Sequence, residues 1–260
     1  MIKFFRKIRH TMINENKVSK YMLYAIGEIV LVVIGILIAL QINNWNEQRK
    51  DNKQEFYILK QLQKEFKADS SQISNYIRLT KIKTKEGKKL RKAVKNKRYS
   101  ISKDSLAKYA FFNGRLVLFD GYTPTFDEIV SSGNLNIIKS EKLKSMIKNY
   151  KNSNMGSQSF MYNESQKLKE AYNKHLYNYF EPEIMTYLWE NGSKGIIDID
   201  SLNNYKMDVK GFFDDTKTLY HINTTIGVDR ELSWRYSQRD MQRIQKILQE
   251  LQLEIDKISD

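Results

Sequence analysis

The feature that most constrains this chain is an apolar stretch from Tyr21 to Ile42, YMLYAIGEIVLVVIGILIALQI, whose only charged residue is Glu28. As an α-helix these 22 residues span roughly 33 Å, enough to cross a bilayer core of about 30 Å. Tyr21, Tyr24 and Trp45 lie near the two ends, where amphipathic rings favour the headgroup region. The stretch therefore predicts a transmembrane helix at residues 21–42.

A cleaved signal peptide is the competing interpretation of this stretch. Cleavage requires small residues in an A-x-A-like arrangement just beyond the apolar core. The core instead continues into residues 39–45, ALQINNW, which contain no such arrangement. We therefore predict a retained membrane anchor.

Basic residues are concentrated on the N-terminal side of the predicted span. Residues 1–20 contain six Lys and Arg, whereas the eleven residues that follow Ile42 contain three. Because positively charged flanks stay in the cytoplasm, we expect residues 1–20 on the cytoplasmic side. Residues 43–260 then form a domain on the other side of the membrane.

Apolar and basic residues alternate at near-helical spacing before the span. This pattern is typical of a short amphipathic helix on the anionic inner leaflet, and an orientation signal with incidental helicity explains it equally well. On the first interpretation, the residues that contact anionic lipid are Lys3, Phe5, Arg6, Lys7 and Arg9.

Small residues recur on one face of the predicted span. Gly27, Leu31, Gly35 and Ala39 follow one another at intervals of four residues, and Glu28 borders them. Because small residues let helices approach closely in lipid, we expect this face to join chains into a homo-oligomer. An acid inside a span is costly. Three interpretations of Glu28 stay open: a carboxylate that reaches interfacial water, an assembly contact, and ion or proton transfer.

The N-terminal stretch MIKFFRKIRH, with SKYMLYAIGEIVLVVIGILIALQINNWNEQRK after it, resembles the signature of a family of uncharacterised bacterial single-pass membrane proteins. Residues 126–151, FDEIVSSGNLNIIKSEKLKSMIKNYK, are similar to a second segment of that family. The resemblance implies a bacterial envelope protein with a helical domain. Together with the predicted orientation of the span, it leads us to expect the chain in the inner membrane with that domain on the periplasmic side. It brings no assigned activity and no catalytic residue.

Only two Pro and eleven Gly interrupt the chain, which favours long helices over strands. We predict an all-α fold, in which the single N-terminal transmembrane helix continues into an elongated bundle of long helices. The predicted elements beyond the span are a helix to about Lys83 interrupted at Gly87, helices at 88–98, 103–113 and 124–132, a buried loop or strand at 135–138, a helix from Ser140 to Phe180, a turn at 191–200, and a helix at 214–258.

The last predicted helix shows the clearest periodicity. Its apolar residues step by four and three, as in a coiled coil. This pattern is equally compatible with packing in a bundle within one chain and with pairing between two chains. The residues concerned are Ile244, Leu248, Leu251, Ile255 and Ile258.

A formal net charge of +14 raises the question of an anionic partner. Beyond the N-terminal flank, basic residues are interspersed with Glu and Asp along the predicted helices, which is typical of a solvated face. Zinc-finger spacing, an RNP-like aromatic motif and a DNA-reading helix signature are all missing from the sequence. We therefore expect no nucleic-acid partner.

No pattern in the sequence predicts a catalytic, cofactor or metal site. The chain has no Cys, and it lacks a phosphate loop, a nucleophile elbow and a dinucleotide fingerprint. His175 and His221 lie on different predicted helices without ligand spacing, and we expect structural roles for both. Asp214 and Asp215 suit a helix N-terminus, where acids complement the helix dipole.

Two aromatic clusters, at residues 172–189 and 212–236, are compatible with a ligand pocket or a partner surface, and we expect them to fill a helical core. The leading expectation is a non-enzymatic, membrane-anchored envelope scaffold or adaptor that self-associates and presents its bundle to an unidentified envelope protein. One alternative is a periplasmic sensory or ligand-binding module that acts through a membrane partner. The other is a subunit of an ion-driven complex that uses Glu28.

Overall fold

The computed structural model describes residues 18–119, 121–191 and 199–259. Over these ranges the fold is all-α, as predicted, and no strand forms within them. The one β-type contact there is an isolated antiparallel bridge between Phe180 and Met207. The chain divides into two compact units, Met1–Tyr57 and Ile58–Asp260.

The described helices are α1 Val18–Lys95, α2 Lys103–Gly114, α3 Pro124–Ser131, α4 Glu141–Leu176, α5 Pro182–Asn191, α6 Ile199–Asn203, α7 Val209–Asp214, α8 Thr216–Trp234 and α9 Met241–Ser259. A 3-10 turn at Leu135–Ile137 lies between α3 and α4, and a π-helical turn at Arg235–Asp240 joins α8 to α9.

In the first unit, α1 carries the predicted span. Its large apolar side chains between Met22 and Ile42 are exposed, for example Leu23 at 76% and Leu31 at 70%. No other part of the described chain covers these side chains. The hydrocarbon core of a membrane would give them an apolar environment. Of the helices in the described ranges, this one is long and apolar enough to cross a membrane.

In the second unit, α1 packs antiparallel to the pair α8 and α9. The Gln63 amide donates to Gln252 at 2.8 Å, and farther along α1 the ammonium of Lys83 contacts Asp229. A later residue of α1 therefore contacts an earlier residue of the α8 and α9 pair, as in antiparallel packing. The buried side chains of α1 recur on one helical face, and those completely shielded from solvent include Leu59, Leu62, Phe66, Ile73 and Leu90.

The predicted break at Gly87 is wrong, because α1 continues through this residue to Lys95. A Cβ at Gly87 would lie 2.6 Å from Asn113 Oδ1 and 2.9 Å from Ile226 Cγ1. The glycine therefore permits close packing against α2 and α8 and does not end the helix. The predicted separate helix at 88–98 is the last two turns of α1, which ends before Lys97 adopts a left-handed φ of 48°.

The shorter elements agree with the prediction only in part, because helices were expected at the positions of α2 and α3 but not at those of α5 and α7. Helix α3 lies where a helix was expected, and Ser140 begins α4 by accepting the N–H of Leu143. The segment at 135–138 was expected as a buried loop or strand, but it forms the 3-10 turn, and Ile138 is the one buried residue of the four. The expected turn at 191–200 falls mostly outside the described residues, and α6 begins at its end.

The helix predicted at 214–258 differs from the structure in two respects. Asp214 ends α7, so α8 begins only at Thr216, and a π-helical turn lies between α8 and α9. This turn, Arg235–Asp240, is wider than an α-helical turn, and single π-helical turns of this kind occur inside α-helices. Within it the Tyr236 hydroxyl accepts the N–H of Phe119 at 2.9 Å. In α9, Ile244, Leu251 and Ile255 are buried within the chain, so the apolar repeat packs inside one bundle.

Two carboxylates on α1 accept backbone N–H groups at the start of α3. Asp69 accepts the N–H of Tyr122, just before α3, at 3.2 Å, and Glu65 accepts that of Thr125, in the first turn of α3, at 3.1 Å. The first N–H groups of a helix have no partner within the helix. These two side chains therefore join the start of α3 to α1.

The aromatic clusters contribute to the core in part, as expected. Their buried members pack together between α2, α4, α5 and α7. Tyr177, Trp189, Tyr220 and Trp234 remain exposed. These buried members are Tyr172, Phe180, Phe212 and Phe213, and Tyr236 is buried separately, against Phe119.

Two helical glycines provide a matched test of this packing. We expect Gly87→Ala to lower the free energy of unfolding by about 1–3 kcal/mol, because its Cβ enters space held by Asn113 and Ile226. A Cβ at Gly227 would meet nothing within 4 Å, so Gly227→Ala should stabilise the chain by up to about 1 kcal/mol. Thermal melts of the full chain in detergent measure both, and equal shifts would contradict the assigned packing.

Candidate functional site

Three charged side chains meet in the interior of the bundle, each from a different helix. Lys83 Nζ on α1 lies 2.6 Å from Asp229 Oδ1 on α8, and Lys169 Nζ on α4 lies 3.0 Å from Asp229 Oδ2. The side chains are at most 3% exposed. Asp229 thus bridges two ammonium groups through its two oxygens. We name these three residues the lysine–aspartate cluster.

Lys169 also links the cluster to the backbone. Its ammonium donates to the carbonyl of Asn113 at 2.7 Å and to that of Thr225 at 3.3 Å. Asn113 lies in the last turn of α2, whose carbonyls have no partner within the helix and carry its negative dipole end. One side chain therefore connects α2, α4 and α8.

The polar character of the interior extends beyond the cluster. Thr80, Asn113, Ser165 and Thr225 are also almost completely buried. The Thr80 hydroxyl donates to the carbonyl of Tyr76 at 2.9 Å, and the Thr225 hydroxyl donates to that of Ile222 at 2.9 Å. These two hydroxyls are paired within their own helices. The side-chain amide of Asn113 and the hydroxyl of Ser165, in contrast, are buried without a hydrogen-bond partner among the described residues.

The cluster holds two cations against one anion. The pKa of Lys169 falls from 10.5 to about 7, chiefly through burial and then through repulsion from Lys83, while Asp229 opposes both effects. Burial also lowers the pKa of Lys83, against the attraction of Asp229. Loss of one proton leaves the cluster electrically neutral, which is the cheaper state for groups removed from water.

An amine with a pKa near 7 has the basicity of a catalytic lysine, but access to a substrate is also required. The Lys169 side chain is 3% exposed. The open surface groove on α8 is lined by Gly227, Arg230, Glu231 and Trp234, and by no member of the cluster. The geometry therefore fits a role in holding the helices in register.

The two histidines of the described domain do meet between helices. Their rings stack with centroids 4.7 Å apart, and His175 Nε2 lies 2.7 Å from Thr218 Oγ1. Burial lowers the pKa of both His175 and His221, and for His175 the neighbouring ring lowers it further. Across the described residues, no group of three or more His, Asp or Glu side chains is placed to hold a metal ion.

The predicted acids at the start of a helix take different roles. Asp215 caps α8 by accepting the N–H of Lys217 at 2.8 Å, and it also accepts the Tyr179 hydroxyl at 2.6 Å. Asp214 instead accepts from Lys97 and Tyr99, each at 2.6 Å. These hydrogen bonds lower the pKa of both carboxyl groups. Asp214, the last residue of α7, thus bonds residues just after α1, and Asp215, before α8, bonds a residue just after α4.

The predicted assembly residues all lie on the first part of α1. Gly27, Glu28, Leu31, Gly35 and Ala39 are exposed, and a Cβ added at either glycine would meet nothing within 4 Å. Their role in assembly stays a prediction. The predicted lipid contacts Lys3, Phe5, Arg6, Lys7 and Arg9 lie outside the described residues.

The lysine–aspartate cluster was not predicted from the sequence, although one signal was present. Ile222, Thr225, Asp229 and Leu232 follow one another in steps of three, four and three, the spacing of a buried helical face. An acid at a core position of that pattern requires a cationic partner. Which of the 44 Lys and Arg residues would supply it could not be read from the chain.

Removal of the shared anion should be costly. We expect Asp229→Asn to destabilise the bundle by about 3–5 kcal/mol, because two buried ammonium groups lose their counter-charge. Asp214→Asn removes an exposed ion pair with Lys97, which solvent already screens, and should cost far less. Chemical denaturation of both full-length variants in detergent gives the comparison, and a similar cost for the two would show that the cluster is not the tighter constraint.

The depressed pKa of Lys169 predicts that stability rises with pH above neutrality. Between pH 7 and 10.5 the unfolded chain binds a proton at this residue that the folded chain does not. The free energy of unfolding should therefore rise by up to about 1.4 kcal/mol per pH unit in that window. Lys169→Met should flatten the rise, whereas Lys167→Met, at a 70% exposed side chain on the same helix, should preserve it. Denaturation curves from pH 7 to 10 decide the matter, and parallel profiles for both variants would contradict the assignment.

Comparison with known proteins gives one match. No curated protein and no solved structure matches the chain. A model of a protein family of unknown function, DUF6090, matches residues 28–203, which include most of the apolar part of α1 and much of the bundle. The match covers more than half of the chain, and it agrees with the resemblance to an uncharacterised family. The chain therefore belongs to this family of unknown function, DUF6090.

Proposed function

We propose that this protein is a non-enzymatic scaffold or adaptor anchored in the bacterial inner membrane by one transmembrane helix. In this proposal the chain self-associates through the small-residue face of the span, defined by Gly27, Leu31, Gly35 and Ala39. The helical domain lies on the periplasmic side and is presented to another envelope protein. The N-terminal flank stays in the cytoplasm, against anionic lipid.

The observation that carries this proposal is the exposed apolar part of α1. Its large apolar side chains from Met22 to Ile42 are uncovered, and the space beside Gly27 and Gly35 is open. In lipid the apolar side chains already have a suitable solvent, so close packing between helices is the interaction left to gain. A face with two open glycines supports such packing between two copies of the chain.

The basic flank supports the orientation. Six Lys and Arg precede the span, and positively charged short flanks stay cytoplasmic. The non-enzymatic part of the proposal is supported by the burial of Lys169, the amine whose pKa lies near 7. A scaffold needs a stable, well-registered bundle, and the lysine–aspartate cluster supplies a constraint of that kind.

Because the chain contains no Cys, single engineered cysteines can test self-association directly. Leu31→Cys lies on the small-residue face, and Val33→Cys is rotated by about 200° on the same helix. We expect oxidative crosslinking in native membranes to join chains through position 31 and much less through position 33. Adding Gly35→Leu to the first variant should reduce the crosslinked fraction by roughly tenfold, because a large side chain separates the helices.

Alkaline extraction controls for membrane insertion in every variant, since each must remain in the membrane pellet. Equal crosslinking through both positions would indicate random collision in the membrane. Crosslinking that Gly35→Leu leaves unchanged would remove the small-residue face from the mechanism.

A further inference from the structure

His175 and His221 form a contact between two helices whose charge can change near neutral pH. His175 is the penultimate residue of α4, and His221 lies in the second turn of α8. Their ring centroids are 4.7 Å apart and the ring planes are inclined by 30°, so the rings stack. Histidine is the side chain whose ordinary pKa lies between pH 5 and 8. We name this pair the histidine stack.

Aromatic side chains surround the histidine stack. The ring of Tyr179 meets that of His175 edge-on at 5.4 Å, and the ring of Phe212 on α7 lies 6.1 Å from it. The ring of Tyr220 meets that of His221 edge-on at 5.4 Å. The His175 side chain is 7% exposed, whereas His221 is half-buried. Such surroundings give an imidazolium little water, so they favour the neutral ring.

The polar groups beside the stack can balance one positive charge. A carboxylate oxygen of Asp215, just before α8, lies 3.9 Å from His175 Nε2 and favours a proton on that ring. The Lys217 ammonium opposes a proton on either ring. Thr218 Oγ1 lies 2.7 Å from His175 Nε2 and bonds that nitrogen in either protonation state. Burial outweighs the carboxylate and lowers the pKa of both histidines.

A second proton removes this balance. With both rings charged, two imidazolium groups would face each other at 4.7 Å beside a single carboxylate, which also accepts the Tyr179 hydroxyl. Like charges at this separation repel. His221 is the more exposed of the two rings, and its neighbour Tyr220 is 63% exposed. His221 is therefore the ring that can reach water.

Other contacts of α8 persist in mild acid. Asp229, the centre of the lysine–aspartate cluster, lies about 12 Å farther along α8 than His221. Hydrogen bonds lower the pKa of the Asp214 and Asp215 carboxyl groups, so both stay ionised well below neutral pH. Mild acid therefore acts on the histidine stack while these carboxylates keep their charge.

We propose that the histidine stack is an acid-sensitive contact, which releases the start of α8 from the end of α4 when both rings are protonated. His221 then leaves the stack for water, and the backbone amides in the first turns of α8 open more often. This property goes beyond the proposed scaffold function, because it resides in one chain and requires no self-association. Failure of the crosslinking experiment would leave it intact, and the reverse also holds.

Amide hydrogen exchange of the full-length protein in detergent, read by mass spectrometry, tests the release. Acid favours the open form because that form binds protons that the closed stack does not. Between pH 7.5 and 5.5, and after correction for intrinsic exchange rates, the opening constant of residues 216–224 should rise about tenfold for one released ring and about a hundredfold for two.

Two variants separate the stack from other effects of acid. His221→Phe keeps an aromatic ring at the contact but cannot take up a proton, so the rise should shrink to about tenfold or less. His10→Gln removes the third histidine of the chain and should behave like the wild type. An equal rise in wild type and His221→Phe, or no rise in the wild type, would overturn the proposal. A rise of the same size at residues 59–66 of α1 would show general acid unfolding and overturn it as well.

A second measurement uses the unmodified protein and so does not depend on the folding of a variant. Because the chain contains three histidines, the imidazole signals of isotope-labelled histidine can be followed by NMR through a pH titration. We expect two rings to titrate below the ordinary histidine pKa, in coupled steps in which the second proton binds at lower pH than the first. Three rings that titrate independently at the ordinary value would refute the proposal.

Discussion

The bundle depends on one buried carboxylate. Asp229 bonds Lys83 from α1 and Lys169 from α4, and Lys169 continues to the last turn of α2. Apolar packing tolerates sliding of one helix past another, but a buried charge without its partner costs several kcal/mol. A shift of any of these helices by one turn would break a charge-assisted contact that water cannot replace. The cluster thus fixes the register in which the apolar faces pack, whatever its net contribution to stability.

The same side-chain type serves three different purposes along the last turns of α1. Lys83 lies in the core, Lys89 pairs with Glu86, and Lys85, Lys88 and Lys92 face solvent. The helical repeat of 3.6 residues separates these roles, because neighbouring positions point in different directions. The position of a lysine around the helix therefore decides whether its side chain is buried in the bundle or exposed to solvent. A net charge averaged over the chain hides this difference.

Burial and exposure also divide α1 along its length. In the first unit its large apolar side chains are uncovered from Met22 to Ile42, and in the second unit its apolar face is buried from Leu59 to Val94. The uncovered part suits lipid as a solvent, and the buried part finds its solvent in other helices of the chain. One helix therefore belongs to two environments, and the proposed anchor and the bundle share a single element.

The sequence by itself determined the features that depend on near neighbours along the chain. These are the apolar span, the all-α fold, the Ser140 cap and the apolar repeat of α9, each readable from spacing and local propensity. Only the tertiary structure decided what depends on distant residues. Gly87 was predicted to break α1, yet it provides close packing against Asn113 and Ile226. The sequence predicted that lysines such as Lys83 and Lys169 are solvated, yet both are buried in the core, where each contacts Asp229. Local patterns define which face of a helix is apolar, but the partner of a buried charge is chosen by packing between segments remote in sequence.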